Sequence, residues 1–242
     1  MRSILLALAA ASFVPACGDD GGGGGGGQAD APSNVPAMIT ITGQAAEVST
    51  SGSIPLAGVA VSAYRNGNDS TTVAMATTDA SGNYTLTITT NGQALDGYIK
   101  ASLTDYVDTY LYPPFALSEN FDGASLKMIK PGTVGLLHGA CGAGVVDETK
   151  GLIAAIVASA PNTSAAPVEG ATVSSTPAAS KYCYNSNGLP SNMATATAAD
   201  GIGYMFNVTG EATVAAMKTG LTLKSHKLNA RPNALTTTLI VP

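Results

Sequence analysis

Two histidines and three cysteines are the scarce groups on which hydrolytic-triad or thiolate chemistry in this 242-residue chain would depend. A hydrolytic triad needs a histidine held beside a nucleophile, yet neither His138 nor His226 stands near a G-x-S-x-G elbow, which the sequence lacks. His138 and Cys141 have an H-x-x-C spacing. A metal site wants three or four ligands and no further ones cluster around this pair, so an ordinary loop histidine is the better reading and no metal or cofactor is expected. The tyrosines are more suggestive. In Asp105-Tyr106-Val-Asp108-Thr-Tyr110-Leu-Tyr112 the rings of Tyr106, Tyr110 and Tyr112 share one face if the segment is a strand, with the carboxylates of Asp105 and Asp108 beside them. Stacked rings next to directional acceptors are how a sugar is held, which makes these five residues a candidate ligand-binding set. The competing reading is plain core and rim packing, and the absence of tryptophan counts against a strong sugar platform.

The third cysteine has a different setting. Met1-Arg2 is a positively charged start, Ser3 to Ala16 is an apolar or small-residue run too short to span a bilayer, and Cys17 follows at once. Val14-Pro15-Ala16-Cys17 resembles the lipobox of bacterial lipoproteins. That resemblance implies that residues 1–16 are a signal peptide removed on export, and that Cys17 is lipidated and becomes the mature N-terminus. Pro15 departs from the commonest pattern, which leaves an ordinary secretory signal open. Residues 17–37, with a run of seven glycines, have little to bury and much backbone entropy to lose, so they read as a disordered tether with a reach of ~20–25 Å. Gly18 stands where an aspartate would favour inner-membrane retention under the enteric sorting rule, which points to the outer membrane.

Any such site must be positioned by strands. The remainder is rich in threonine, valine, alanine and glycine, with 11% charged residues, and no long segment carries an amphipathic helical period. The net charge of −5 makes nucleic acid an improbable partner. Two segments repeat one pattern. Pro55-Leu-Ala-Gly58-Val-Ala-Val61 and Pro167-Val-Glu-Gly170-Ala-Thr-Val173 both read as a turn entering an alternating strand. Each is followed by a second turn and strand, Thr78-Asp79-Ala-Ser-Gly82-Asn-Tyr84 and Ala198-Ala-Asp200-Gly-Ile-Gly203-Tyr204, a register that aligns Gly58 with Gly170 and Tyr84 with Tyr204. The domain reading is therefore a first β-sandwich at 38–129, a connector at 130–149 with a helical turn or two near Pro131 to His138, and a second β-sandwich at 150–242.

Gly43, Pro55 to Val61 and Thr78 to Tyr84 carry a specific resemblance. Their order is similar to that of the carboxypeptidase regulatory-like domain, a transthyretin-like β-sandwich, well matched over 38–129 and more loosely over 150–242. The resemblance implies an all-β pair of tandem sandwiches and an accessory or adhesive module without activity of its own. A membrane anchored through the lipid, and a surface glycan or envelope protein, are the partners to expect. The alternative from another class is a cryptic hydrolase or oxygenase on the same fold. The Tyr-Arg-Gly-Ser close of hydroxyisourate hydrolases and the paired histidines of intradiol dioxygenases have no counterpart here. With Cys17 lipidated, Cys141 and Cys183 remain as an even pair in an oxidising compartment, and a disulfide is the natural reading, with two free buried thiols as its rival. Charge is uneven. Residues 38–129 hold three basic and eight acidic side chains, and residues 150–242 six basic and three acidic. Lys218, Lys224, Lys227 and Arg231 could meet an anionic surface, attract the first half, or simply be solvated.

Overall fold

Short apolar alternations turn directly into strands. Asn83-Tyr-Thr-Leu-Thr-Ile-Thr89 buries Tyr84, Leu86 and Ile88 and exposes the residues between them, as period-two side chains on a half-buried strand must. The computed structural model describes residues 35–49, 52–160 and 165–242, so the signal peptide, Cys17 and nearly all of the glycine tether lie outside the described residues. The first half contains β1 (Met38–Ser49), β2 (Gly52–Pro55), β3 (Ala60–Arg65), β4 (Asn68–Thr77), β5 (Asn83–Thr89), β6 (Gly97–Ser102), β7 (Asp108–Tyr112) and β8 (Leu126–Met128). A helix, α1 (Pro131–Cys141), follows. The second half contains β9 (Gly151–Val157), β10 (Thr172–Thr176), β11 (Lys181–Ser186), β12 (Leu189–Ser191), β13 (Ile202–Val208), β14 (Gly210–Met217), β15 (His226–Ala230) and β16 (Ala234–Ile240). Pro131 opens α1, where its missing N–H costs nothing, and Gly142 closes it at φ 63°.

Each half has the same skeleton. In the first, β1 pairs antiparallel with β5 and parallel with β8, while β3 pairs with β6 and β6 with β7. In the second, β9 pairs antiparallel with β13 and parallel with β16, while β10 pairs with β14 and β14 with β15. The halves differ chiefly in one strand: β4 joins β3, whereas β11 joins β13 and carries β12 at its edge.

The repeated turns are built by the same hydrogen bonds. Thr78 Oγ1 donates to the Leu56 carbonyl at 2.6 Å and accepts from Val59 N at 2.9 Å. Thr197 Oγ1 donates to Val168 O at 2.7 Å and accepts from Ala171 N at 2.9 Å. Gly58 and Gly170 occupy the same turn position, at φ 75° and 72°. The second turn corrects the sequence register. Ala45 N donates to Gly82 O and Val157 N to Gly201 O, so Gly82 corresponds to Gly201 and Tyr84 to Gly203, not to Tyr204. The reason is local space. A Cβ at Gly203 would lie 2.7 Å from the Val173 methyls and 3.3 Å from the Tyr184 ring, because Tyr184, brought in by the switched strand β11, fills the space.

The halves are not two bodies strung on a connector. One nine-stranded sheet runs β12-β11-β13-β9-β16-β7-β6-β3-β4 through both, and its seam is the parallel pairing of β16 with β7, from Ala234 opposite Asp108 to Thr238 opposite Tyr112. Two smaller sheets cover it. The β2-β1-β5 sheet, with β8, shares a core with Val61, Ile99 and Leu111 of the long sheet. The β10-β14-β15 sheet shares a core with Tyr98, Tyr110, Tyr112, Ile153 and Val157. Neighbours along a strand point to opposite faces, so Leu111 between Tyr110 and Tyr112 shows that the two covers lie on opposite sides. A third cluster, with Leu152, Phe206 and Leu235, packs under α1. Two sandwiches that seem consecutive in sequence therefore share a central layer.

Candidate functional site

The offset of the two covers leaves a cleft where β15, at the edge of the second cover, meets the uncovered first-half end of the long sheet. It has a volume of about 750 Å³ and is lined by Asn66, Asp69, Asp96, Tyr98 and Phe115, facing Glu211, His226, Lys227, Asn229 and Arg231. A ladder of largely buried rings runs beneath it, reaching the lining at Tyr98 and Tyr112. Tyr64 stacks on Tyr98 with centroids 5.2 Å apart, and Tyr98 stacks on Tyr112 at the same distance. The strands dictate this ladder, because Tyr64 is opposite Tyr98 in the β3–β6 register.

Arg231 anchors the cleft. Its guanidinium carbon lies 4.3 Å from the centroids of both Tyr98 and Tyr110. Its Nη1 donates to the Tyr112 hydroxyl at 2.9 Å and its Nη2 to Asp69 Oδ2 at 3.0 Å, while the Tyr98 hydroxyl donates to Asp69 Oδ1 at 2.7 Å. Burial works against the charge of Asp69, but the Tyr98 hydroxyl and Arg231 outweigh it and hold the carboxyl below its usual range. Burial likewise opposes the charge on Arg231, and Tyr112 and Asp69 outweigh that. The Tyr98 phenol is pushed upward by burial and by the neighbouring Asp69 carboxylate.

His226 occupies the inner wall. The Thr238 hydroxyl donates its one proton to the Tyr112 carbonyl at 2.9 Å, so it accepts from His226 Nδ1–H, 2.8 Å away. Burial lowers the histidine pKa, the Asp96 carboxylate opposing it only in part, and the ring is held neutral. Asp96 Oδ1 accepts from the Asn66 amide at 2.6 Å. The charged groups of this lining are two cations, Lys227 and Arg231, against three carboxylates, Asp69, Asp96 and Glu211. Such a cleft offers polar groups of both kinds without a field strong enough to select a highly charged ligand.

The sequence-derived tyrosine set does not form one exposed face. Tyr110 and Tyr112 are 8% and 2% exposed and lie in the second core, and of the two only Tyr112 lines the cleft. Tyr106 sits in the turn before β7, packs against the first core, and donates its hydroxyl to Glu47 Oε2 at 2.5 Å. Asp108 is held by Lys100 at 2.7 Å and Ser102 at 2.6 Å. Asp105 occupies an exposed left-handed turn at φ 69°. The row fails as a platform because the strand begins only at Asp108, and because the second cover lies over the face that Tyr110 and Tyr112 share. Cys141 and Cys183 form a disulfide, with α-carbons 5.7 Å apart, that ties the end of α1 to β11. Cys141 is therefore no metal ligand, and His138 packs edge-on against Phe206 with centroids 4.8 Å apart. Among the described residues no group of three histidine, cysteine, aspartate or glutamate side chains stands where it could hold a metal.

Sequence reasoning missed Asp69, Tyr98, Phe115 and the role of Arg231. The one signal for them was the uneven charge of the two halves. Arg231 of the basic half meets Asp69 of the acidic half across 162 residues of chain.

Fold and cleft define an all-β sandwich protein with a mixed polar and aromatic groove. No protein-family model and no curated protein sequence matches the chain. Solved structures do align with it. The Bacillus anthracis TIE protein aligns at 12% identity and TM-score 0.27 over 84% of this chain, which spans 34% of that protein's length. The shaft pilin SpaA of Lactobacillus rhamnosus GG aligns at 12% identity and TM-score 0.26, covering 85% of this chain and 98% of the pilin. The minor pilin of Streptococcus agalactiae aligns at 12% identity and TM-score 0.28, covering 84% and 94%.

Proposed function

We propose that this protein is a non-catalytic structural and binding module of the bacterial cell envelope, tethered to the outer membrane through lipidated Cys17, and that its polar cleft takes an uncharged glycan. The observation that carries the reading is the near balance of fixed charge around a groove of about 750 Å³ with the exposed ring of Phe115 in its lining. A glycan needs hydroxyl partners of both donor and acceptor type and an apolar surface for its ring faces. Asn66, Asn229, Asp96 and Glu211 supply the first, and the half-exposed ring of Phe115 supplies the second. Binding rather than bond-breaking is supported by the way the titratable groups are held: Asp69 by Tyr98 and Arg231, Asp96 by Asn66, His226 by Thr238. Rigidity is supported by the sheet that runs through both halves.

A glycan array probed with the full chain and with Phe115→Ala tests the ligand. Binding to neutral glycans that falls about tenfold in the variant fits the reading. Absent binding, or binding indifferent to Phe115, sinks it. The anchor is tested separately, by metabolic labelling with a fatty acid in the native chain and in Cys17→Ser. Equal labelling of both would end that part of the proposal.

A further inference from the structure

The face of the long sheet opposite the cleft carries a second concavity. Over the first half that face is covered by the β2-β1-β5 sheet, but over β9, β13 and β16 it is covered only in part, by α1 and the segments flanking β8. Between them is a cavity of about 350 Å³. Its floor is Ala154, Ile156, Ile202 and Leu239, residues that alternate along their strands with the second core and so point away from it. Phe121 and Leu137 wall it on two sides, and the small side chains of Ala124, Ser125 and Ala158 leave the space open. Among the described residues the lining contains one charged side chain, Lys127, and no carboxylate. On β8 Lys127 alternates with buried Leu126 and Met128, so it is turned away from the first core and toward this cavity. Among the described residues it makes no ion pair, whereas its neighbour Lys130 is paired with Glu47 at 3.1 Å.

We infer that this cavity is a binding site for a single long-chain aliphatic carboxylate, with the hydrocarbon lying on the Ala154–Ile156–Leu239 floor and the carboxylate at Lys127. Size and charge both select that occupant. The volume falls within the range of small-molecule pockets. An apolar lining gives a flexible chain its transfer free energy without asking for hydrogen bonds, and one unpaired ammonium asks for one anionic head. The inference is independent of the glycan cleft, which lies on the other face of the sheet.

The test is calorimetric titration of the full chain, carrying Cys17→Ser so that no acyl group is attached, with octanoate, dodecanoate and hexadecanoate and with the matching alcohols. Two variants fill the cavity from opposite sides, Ala154→Phe from the sheet and Ser125→Trp from an exposed loop position. Melting curves show which of them keep the fold, and Ser125→Trp replaces no buried side chain. The expected result is saturable binding of one carboxylate, lost in a folded cavity-filling variant, with Lys127→Ala weakening dodecanoate about tenfold and dodecanol little. Absence of binding overturns the inference. So does binding that survives Ser125→Trp, which would place the ligand elsewhere. Binding that appears only after residues 1–34 are removed would make that segment the occupant and overturn it as well. A concentration-dependent dimer that Ser125→Trp abolishes, without fatty-acid binding, would assign the face to a second copy of the chain.

Discussion

The guanidinium of Arg231 lies 4.3 Å from the ring centroid of Tyr98, although one follows the last strand of the second cover and the other belongs to β6 of the first half. This contact closes the seam on one face of the sheet, while backbone pairing of β7 with β16 closes it in the plane. A cation between two rings, with both ends of its fork bonded, couples the stability of the halves. Replacing Arg231 by leucine should cost about 1–3 kcal/mol in urea denaturation, and lysine should not restore it, because an ammonium cannot stack and bond as the planar fork does. Unfolding should stay a single transition in the native chain; two separable transitions would show that the shared sheet does not couple the halves.

The disulfide closes a loop of 42 residues between α1 and β11. By loop entropy, Cys141→Ser/Cys183→Ser should lose up to about 4 kcal/mol. Hydrogen exchange should show the loss centred on α1, whose other anchor is the small cluster with Phe206 and Leu152. A uniform loss across both halves would contradict this.

Gly82 and Gly201 offer a matched pair. Each has a positive φ, 76° and 68°, and at each a Cβ would lie 2.5 Å from a backbone carbonyl, of Ala45 and Val157 respectively. Gly67 has the same φ as Gly82 but open space around it. Alanine at Gly82 or Gly201 should therefore destabilise by about 2 kcal/mol or more, and at Gly67 by about 1 kcal/mol. Equal costs at all three positions would mean that backbone conformation alone sets them.

His226 predicts a pH dependence. Its folded pKa is lowered by burial, so below its ordinary value of about 6.5 the unfolded chain takes up a proton that the folded one resists. Stability contributed by the neutral ring is complete above that value and falls as pH drops below it. The Asp69 contribution behaves separately, being present above about 4 and lost only in stronger acid. Thermal melts of the native chain should show the first decline, and His226→Gln should flatten it. An unchanged slope in the variant would refute the assignment.

The sequence by itself determined what is local. Turn chemistry at Pro55, Gly58, Pro167 and Gly170 and the alternation of Tyr84, Leu86 and Ile88 disclosed strands, the internal repeat and the all-β class, because φ preferences and period-two burial act within a few residues. Pro131 and the glycines after Cys141 marked the helix for the same reason. What only the tertiary structure decided is how the repeats meet. Strand β11 changes sheets in one half, which puts glycine at 203 where the other half has Tyr84. The β16–β7 pairing brings Tyr110 and Tyr112 under the second cover, which buries what a strand pattern alone presents as a surface row. Asp69 and Arg231 share only the uneven charge of their halves as a mark in the chain, since an ion pair depends on distance in space, and only the offset of the two covering sheets brings them together and opens the cleft and the cavity on opposite faces.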